Sequence, residues 1–324
     1  MFYDFNDSSV RLTGRWFKGA AATATAAGSK LEFAFKGKMA VMHFDMEYSY
    51  DPYPHIWISV DGGARVEAPL DTYLRINAQT DSEHVVTVIY KGAVEMQHRW
   101  HQPLIGKIAF KGYEADENGK LPENNKKIIE IVGDSITEGV LIDADHALST
   151  RLEQYNRPIQ DDVTATYGYL TAENLNLEPI MMGYGAVGVT TSGCGSVPVA
   201  YEAYPYCFEG APIPDYSPDY ILINHGANDR RNGSEKYIEG YEKLLDVVRK
   251  LHPDSRIIVL SAFCGVYPDE LKFLVQKYNK EFNTDILFID TKDWIPEEPL
   301  HPLRDGHKII AENLTAILKR ELKL

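Results

Sequence analysis

The sequence predicts an α/β protein of two domains: an N-terminal all-β sandwich of the jelly-roll type, followed by a three-layer α/β/α domain around a five-stranded parallel sheet. The prediction rests on a change of hydrophobic period within the 324 residues. Apolar and polar residues alternate over residues 1–114, whereas residues 127–324 contain nearly continuous apolar runs separated by segments with helical spacing. Residues 115–126 are polar and charged and include a glycine and a proline, so we expect a linker there.

The strands of the N-terminal domain are indicated by a period of two. In LEFAFKG, residues 31–37, three apolar side chains at alternate positions share one face of an extended segment. HIWISVDGGARVEA, residues 55–68, is typical of two strands joined by a tight turn, because Asp61-Gly62-Gly63 accepts the positive φ that such a turn needs. No long amphipathic helix is evident in this half, which favours an all-β sandwich.

The C-terminal domain is predicted from short apolar runs. Strands buried on both faces of a parallel sheet have such near-continuous hydrophobic sequences. The runs are KIIEIV (127–132), EPIMM (178–182), YILIN (220–224), RIIVL (256–260) and ILFID (286–290). Segments with helical spacing lie between them, including one that begins at Ser234, the expected N-cap, and ends before Pro253. Because ligands bind at the carboxyl ends of parallel strands, the residues that follow each run are candidates for a site.

The composition excludes several classes of protein. A net charge of −14 at pH 7 disfavours nucleic acid and anionic membranes as partners, since both would repel the chain. No apolar run approaches the ~18 residues of a transmembrane helix. Three cysteines without a CxxC motif predict neither a disulfide framework nor a structural zinc site. Without a recognisable secretory signal at the N-terminus, we expect a cytoplasmic protein.

Residues with catalytic chemistry follow four of the apolar runs. Ser135 lies in GDSITEG after the first run, where a serine hydroxyl on a tight turn is placed to act as a nucleophile. A glycine N–H of GYGAVG, such as that of Gly185, and the side-chain amide of Asn228 are donors suited to a developing oxyanion. EEPLHPLRDGH near the C-terminus adds His301 and His307 as candidate bases. Together these residues indicate a hydrolase.

The same segments also have simpler interpretations. Asp134 or Ser135 is a natural cap for the helix that follows, and Asn228 with Asp229 is typical of an Asx turn. GYGAVG, residues 183–188, matches the GxGxxG fingerprint of dinucleotide-binding sites, although it follows the second strand of its domain and precedes no helix start.

Four sequence blocks carry a resemblance to a known family. GDSIT (133–137), GYGAVG (183–188), GAND (226–229) and LHP…GH (300–307) resemble, in this order, the blocks of SGNH (GDSL-type) hydrolases. With a β-sandwich in front of this domain, the chain resembles carbohydrate esterase family 2, a group of O-deacetylases that act on plant polysaccharides. LTGRW and GSKLEFAFKGK in the N-terminal half support the second resemblance.

The resemblance implies a serine esterase without metal or cofactor. Ser135 would be the nucleophile, and its own N–H, the N–H of Gly185 and the side chain of Asn228 would form the oxyanion hole. Asp134 and Asp229 would hold loops and take no part in acid–base chemistry.

The resemblance also separates the two histidines. His301 matches the catalytic base, and His307 matches a residue at the start of the last helix. Glu298 stands where the family commonly has an aspartate, so either Glu298 or a backbone carbonyl would orient the His301 ring, and Asp293 and Asp305 are weaker candidates for this role.

The implied reaction is removal of O-acetyl groups from plant-type oligo- or polysaccharides such as acetylxylan or acetylmannan. Trp294, Tyr204 and Tyr206 are candidates to stack on the sugar, and the alternative is that the tyrosines fill the gap between the domains. Three other functions stay open at this stage: a short-chain lipase or thioesterase of the same family, a non-catalytic carbohydrate-binding protein, and a nucleotide-binding protein built on GYGAVG.

Overall fold

The N-terminal domain is an antiparallel β-structure of ten strands. The computed structural model describes residues 1–144 and 153–324. The strands are β1 (Phe2–Asp4), β2 (Val10–Thr13), β3 (Phe17–Lys18), β4 (Ala22–Ala24), β5 (Lys30–Phe44), β6 (His55–Val60), β7 (Val66–Pro69), β8 (Tyr73–Asn77), β9 (Glu83–Gly92) and β10 (Ile108–Asn118). Their order is β3-β4-β10-β5-β9-β6-β7, with β1 beside β10 and with β2 and β8 beside β5. The predicted jelly-roll sandwich is confirmed.

The long strand β5 belongs to both parts of the sandwich. Its first half pairs with β9 through residues 30–36, and its second half pairs with β8 through residues 39–43. In the first half Leu31, Phe33 and Phe35 are buried, whereas in the second half the buried positions are even-numbered. The pairing of β5 with β10 is irregular between the two halves, where Ala40 pairs with Ala115 and Lys36 pairs with Glu117, so the change of phase coincides with an interruption of the regular ladder.

The predicted hairpin at Asp61-Gly62-Gly63 is present between β6 and β7. The predicted linker begins too early, because β10 extends to Asn118 and its residues beyond Glu114 still pair with β5. The end of this strand could not be predicted from composition, because Ala115 is the one buried residue among its last five positions and the others are polar. The connection between the domains therefore starts after Asn118.

The C-terminal domain contains the predicted five-stranded parallel sheet. Its strands are β11 (Ile128–Gly133), β12 (Glu178–Gly183), β15 (Tyr220–Asn224), β16 (Arg256–Leu260) and β17 (Leu287–Ile289), and they lie in the order β12-β11-β15-β16-β17. A separate two-stranded hairpin consists of β13 (Tyr206–Phe208) and β14 (Ala211–Pro212).

Helices cover the parallel sheet on both faces. They are α1 (Ser135–Glu138), α2 (Glu153–Gln160), α3 (Tyr167–Asn174), α4 (Ala200–Ala203), α5 (Ser234–Leu251), α6 (Pro268–Phe282) and α7 (Arg304–Leu322). Alternate residues of β15 enter opposite cores: Ile221 and Ile223 pack with α5 and α6, whereas Leu222 packs with α3 and α7. This arrangement explains why the strands have continuous apolar sequences and confirms the three layers. At α5 the N-cap is Gly233, and Ser234 is the first helical residue instead of the predicted cap.

The two domains share buried surface. Ala26 and Trp100 of the N-terminal domain belong to the core beneath α5 and α6, and Ala27 and Ile89 belong to the core beneath α3 and α7. Because the sandwich contributes to both cores of the C-terminal domain, we expect the two domains to move as one unit.

A buried ion pair joins the domains through Glu130, the single charged residue of β11. Arg15 of the N-terminal domain donates to this carboxylate, with Nη2 2.8 Å from Oε1, and neither side chain is exposed. The hydroxyls of Tyr204 and Tyr216 also donate to it. Burial alone would raise the pKa of Glu130, but Arg15 and the two hydroxyls outweigh it and hold that pKa below its ordinary value.

Candidate active site

The register of the parallel sheet brings three predicted residues to one edge. Gly133 at the end of β11 lies opposite Gly183 of β12 and Asn224 of β15. The segments that leave these three strands carry Ser135, Gly185 and Asn228. They begin at the same level of the sheet, at its carboxyl edge, where open α/β sheets bind ligands.

Ser135 is the first residue of α1, and only 6% of its surface is exposed. Asp134 is the N-cap, since its Oδ1 accepts a hydrogen bond from the Ile136 N–H at 3.0 Å. The turn from β11 into α1 is tight, because a Cβ on Gly133 would lie 2.1 Å from Thr137 Oγ1. Capping is thus performed by Asp134, which leaves the Ser135 hydroxyl available for another contact.

That contact is with His301. The Nε2 atom of His301 lies 2.9 Å from Ser135 Oγ, although the two residues are 166 positions apart in the sequence. A serine hydroxyl within hydrogen-bond distance of an imidazole nitrogen is the arrangement that general-base activation of a nucleophile requires. Glu298 is exposed, and its assignment as the residue that orients His301 stays a prediction.

His307 has a structural role. It lies in α7, is buried, and its Nδ1 accepts a hydrogen bond from the Tyr167 N–H at 3.1 Å. Burial, together with the nearby charges of His301 and Arg304, lowers the pKa of His307 to about 3. The ring is therefore neutral at neutral pH, as its packing within the last helix requires.

The GAND segment holds the glycine loop that follows β12. Asn228 Nδ2 donates to the carbonyl of Val187 at 3.1 Å and lies 3.4 Å from Asp134 Oδ2. Asp229 is buried and accepts hydrogen bonds from the N–H groups of Val189 and Thr190 at 3.0 and 2.8 Å. The Asn228 amide is thus oriented beside the nucleophile turn, and Asp229 acts as a loop-holding residue.

Gly185 lies where the glycine loop meets the N-terminal domain. Its carbonyl accepts a hydrogen bond from the Cys194 N–H at 2.8 Å. A Cβ at this position would lie 2.3 Å from Oε2 of Glu95, which belongs to the segment between β9 and β10. No helix begins at GYGAVG, since a short 3-10 helix follows only at Cys194–Ser196 and the next α-helix is α4, so the motif lacks the helix N-terminus on which a dinucleotide fingerprint depends.

The carboxyl group of Asp134, next to Ser135, has a raised pKa. Asp134 is fully buried, and its pKa is raised from 3.8 to about 7. Burial is the largest cause and the charges of Asp229 and Glu138 act in the same direction, whereas the hydrogen bond from the Ile136 N–H opposes them. A proton is therefore exchanged near neutral pH within one residue of Ser135.

The predicted sugar-binding residues do not share one environment. Tyr204 is fully buried and donates to Glu130, so it cannot stack on a bound sugar, and the prediction for this residue is wrong. Tyr206 has 38% of its surface exposed and packs edge-on against Trp100. Trp294 is half-buried against the core beneath α3 and α7. For Tyr206 and Trp294, sugar binding stays a prediction.

Sequence reasoning missed the contribution of the N-terminal domain to this site. Glu95 abuts Gly185, and Arg99 forms a buried ion pair with Glu138 of α1. One signal is visible in the sequence: Glu130 interrupts an apolar strand, and Glu138 lies in the short helix that follows this strand. A carboxylate buried at such a position requires a cation or hydrogen-bond donors from elsewhere in the chain. The identity of that partner could not be read from the local sequence.

Within residues 1–144 and 153–324, no set of three or more histidine, cysteine, aspartate or glutamate residues is arranged to hold a metal ion. In the same part of the chain, no helix combines the length and apolar character needed to cross a membrane.

The fold and the site define a class of enzyme. A serine hydroxyl bonded to an imidazole at the carboxyl edge of a parallel sheet, beside an oriented asparagine amide, is the arrangement of a serine hydrolase. The sequence model of the GDSL-like Lipase/Acylhydrolase family matches residues 131–309, which is more than half of the chain. The protein belongs to this family and is a carboxylic ester hydrolase.

A curated relative with sequence similarity is the cellulase/esterase CelE of Acetivibrio thermocellus. The two are 26% identical over 286 residues, which cover 76% of this chain and 32% of the relative. The chain therefore spans about a third of the length of that relative.

Solved structures of carbohydrate esterases share the whole fold. A family two carbohydrate esterase from Cellvibrio japonicus has a TM-score of 0.80 at 19% identity, and the superposition covers 99% of this chain and 97% of the esterase chain. An acetyl xylan esterase from Butyrivibrio proteoclasticus has a TM-score of 0.78 at 18% identity, with 100% and 98% covered. A family two carbohydrate esterase from Clostridium thermocellum, solved with cellohexaose, has a TM-score of 0.76 at 20% identity, with 97% and 99% covered.

Proposed function

We propose that this protein is a carbohydrate esterase that removes O-acetyl groups from plant-type oligo- or polysaccharides by a serine–histidine mechanism. The observation that carries the proposal is the 2.9 Å contact between His301 Nε2 and Ser135 Oγ at the carboxyl edge of the sheet. The names of the relatives support the substrate class, since a cellulase/esterase is similar in sequence, and family two carbohydrate esterases and an acetyl xylan esterase share this fold.

The first half of the reaction forms an acetyl-enzyme. Ser135 Oγ attacks the acetyl carbonyl carbon while His301 Nε2 accepts the hydroxyl proton. The negative charge on the former carbonyl oxygen is stabilised by the N–H groups of Ser135 and Gly185 and by the side-chain amide of Asn228. The tetrahedral intermediate then collapses, and the His301 imidazolium donates its proton to the departing sugar hydroxyl.

The second half of the reaction releases acetate. His301 accepts a proton from water as the water oxygen attacks the acetyl carbon, and the same donors stabilise the second oxyanion. The intermediate collapses to acetate, and the imidazolium returns the proton to Ser135 Oγ. The protein needs no metal or cofactor for these steps, since every proton moves between Ser135, His301, water and the substrate.

The surroundings of the nucleophile favour a short acyl group. Ser135 is only 6% exposed, and the space beside Gly185 is occupied by Glu95. A long alkyl chain would have to displace this carboxylate, which would leave its charge without solvent. We therefore favour acetyl esters over the lipase-type esters that other GDSL-like enzymes hydrolyse.

The test is acetate release from acetylated xylo-, manno- and gluco-oligosaccharides. We expect the wild type to release acetate and Ser135→Ala to release no more than a trace, whereas Ser8→Ala, which alters an exposed serine of the N-terminal domain, should behave as wild type. Substantial acetate release by Ser135→Ala would remove the proposal. Oligosaccharide binding without hydrolysis in the wild type would instead support a non-catalytic carbohydrate-binding protein.

A series of p-nitrophenyl esters from acetyl to octanoyl separates the two esterase alternatives. We expect kcat/KM to fall steeply beyond propionyl. A rate that holds or rises with chain length would support a short-chain lipase or thioesterase. The predicted cytoplasmic location is part of the proposal and is tested by fractionation of cells that produce the protein.

A further inference from the structure

We propose that Arg99, a residue of the N-terminal sandwich, positions both the nucleophile helix and the glycine loop of the oxyanion hole. The inference rests on the proposed function, because it assigns to Arg99 a role in the Ser135 reaction. Arg99 lies in the connection between β9 and β10 and is 1% exposed. Its neighbour Trp100 is part of the catalytic domain core, so this connection is embedded in the second domain.

The first contact of Arg99 is with α1. Its guanidinium donates to both carboxylate oxygens of Glu138, with Nη1 bonded to Oε1 and Nη2 3.3 Å from Oε2. Ser135 and Glu138 are the first and last residues of this single-turn helix. The paired, planar geometry of a guanidinium and a carboxylate fixes orientation as well as distance. Arg99 therefore holds one end of the turn that presents the Ser135 hydroxyl.

The second contact is with the loop that carries Gly185. The Arg99 guanidinium lies over the ring of Tyr184, 5.2 Å from its centroid, and Tyr184 directly precedes Gly185. The Arg99 N–H donates to the Gly195 carbonyl at 3.1 Å, and the adjacent Cys194 N–H donates to the Gly185 carbonyl at 2.8 Å. Side chain and backbone of one residue thus reach the glycine loop from two directions.

The two contacts converge at the end of β12. A Cβ on Gly183 would lie 2.5 Å from the backbone nitrogen of Glu138, so α1 is seated directly on the strand that leads into the glycine loop. Arg99 spans this junction, with Glu138 on one side and Tyr184 on the other. The relative placement of Ser135 Oγ and the Gly185 N–H depends on it.

Loss of Arg99 should therefore affect catalysis as well as folding. Without its partner, Glu138 would be a buried carboxylate three residues from the nucleophile, and its charge would oppose an oxyanion formed beside it. A displacement on the order of 1 Å between catalytic groups lowers the rate by ~10²-fold. Substrate binding before the chemical step does not require the same alignment, so KM should change little.

Arg15 and Glu130 provide a matched control. They form another fully buried arginine–glutamate pair between the same two domains, but Glu130 lies in the middle of β11 and not on α1. Arg15→Met should lower the unfolding temperature as Arg99→Met does, because each change leaves a buried carboxylate unpaired. It should leave the alignment of Ser135 and Gly185 intact.

The experiment uses the full chain with p-nitrophenyl acetate as substrate. The concentration of folded enzyme is measured by size-exclusion chromatography and near-ultraviolet circular dichroism, so that kcat is calculated per folded molecule. We expect Arg99→Met to lower kcat by ~10²-fold with KM within about threefold of wild type. Arg99→Lys, which keeps the charge but not the paired geometry, should lower kcat by about tenfold. Arg15→Met should keep kcat within about twofold of wild type.

A second measurement follows the nucleophile directly. The rate at which diethyl p-nitrophenyl phosphate modifies Ser135 should fall in Arg99→Met and stay unchanged in Arg15→Met. A wild-type kcat per folded molecule in Arg99→Met, or an equal loss in Arg15→Met, would overturn the inference. If Arg99→Met does not fold, Arg99→Lys decides, and an unchanged kcat in that variant has the same consequence. Activity that persists in Ser135→Ala would instead refute the proposed function itself.

Discussion

Asp134→Asn should make the protein more stable at neutral and alkaline pH. Asp134 is fully buried beside the nucleophile, and this burial, with the charges of Asp229 and Glu138, raises its pKa from 3.8 to about 7. Asparagine caps a helix about as well as aspartate, so the hydrogen bond to the Ile136 N–H should persist in the variant. The substitution removes a buried charge and also the long 3.4 Å contact between Asp134 Oδ2 and Asn228 Nδ2, and only the loss of the charge makes its effect depend on pH.

The direction and size of the effect follow from proton binding. Because the folded protein holds the Asp134 proton more tightly than the unfolded chain, the contribution of Asp134 to wild-type stability is greatest below about pH 4 and falls as the pH rises to about 7. A pKa about three pH units above its ordinary value corresponds to ~4 kcal/mol of unfolding free energy, lost in full above pH 7. Asp134→Asn does not lose this free energy, so its advantage over wild type should grow from near zero at pH 4 to ~4 kcal/mol at pH 8.

The assay is thermal or urea unfolding of wild type and variant at intervals between pH 4 and pH 8.5. Asp7→Asn is a control with the opposite sign. Hydrogen bonds from Ser9 and Asn118 outweigh burial and lower the pKa of Asp7, so this variant should be less stable than wild type at neutral pH and approach it in acid. A difference between Asp134→Asn and wild type that is independent of pH, or that favours wild type at pH 8, would refute the reasoning.

Three further predictions concern catalysis and the domain interface. Asn228→Ala removes one oxyanion donor and should lower kcat by ~10²–10³-fold, and nearly full kcat on p-nitrophenyl acetate would remove this assignment. Because Glu298 is exposed, Glu298→Gln should lower kcat by less than about tenfold, as expected if a backbone carbonyl orients His301; a loss approaching ~10⁴-fold would establish a triad. Tyr204→Phe removes a donor from buried Glu130 and should cost ~1.5–3 kcal/mol in unfolding free energy without changing KM for acetylated oligosaccharides. A raised KM with unchanged stability would instead support the prediction that Tyr204 binds the substrate.

Much of the catalytic domain could be predicted because its signals are local. A strand buried on both faces is apolar at every position, and the residues that follow it are recognised by their place in the chain. Ser135, Gly185 and Asn228 are predicted in this way, and the sheet register places the strands that precede them level with one another. The same reasoning failed at the end of β10, where polar residues form a strand because of their partner, β5.

The roles of His301 and His307 could not be distinguished from the residues around them. Both follow the last strand of the sheet, and spacing alone favours neither. In the structure His301 lies 2.9 Å from Ser135 Oγ, whereas His307 is buried in α7 and accepts a hydrogen bond from the Tyr167 N–H. Burial and a fixed acceptor role make His307 a neutral structural residue, a difference that depends on α3 being packed against α7.

The sequence by itself determined the fold class, the strand ends and the types of residue that stand there, because periodicity and turn chemistry act over a few positions. Tertiary structure alone decided the partners of the buried charges. Arg15 and Glu130 are 115 positions apart, and Arg99 and Glu138 belong to different domains. A carboxylate excluded from water needs a compensating cation, and only the packing of the sandwich against the catalytic sheet determines which arginine supplies it.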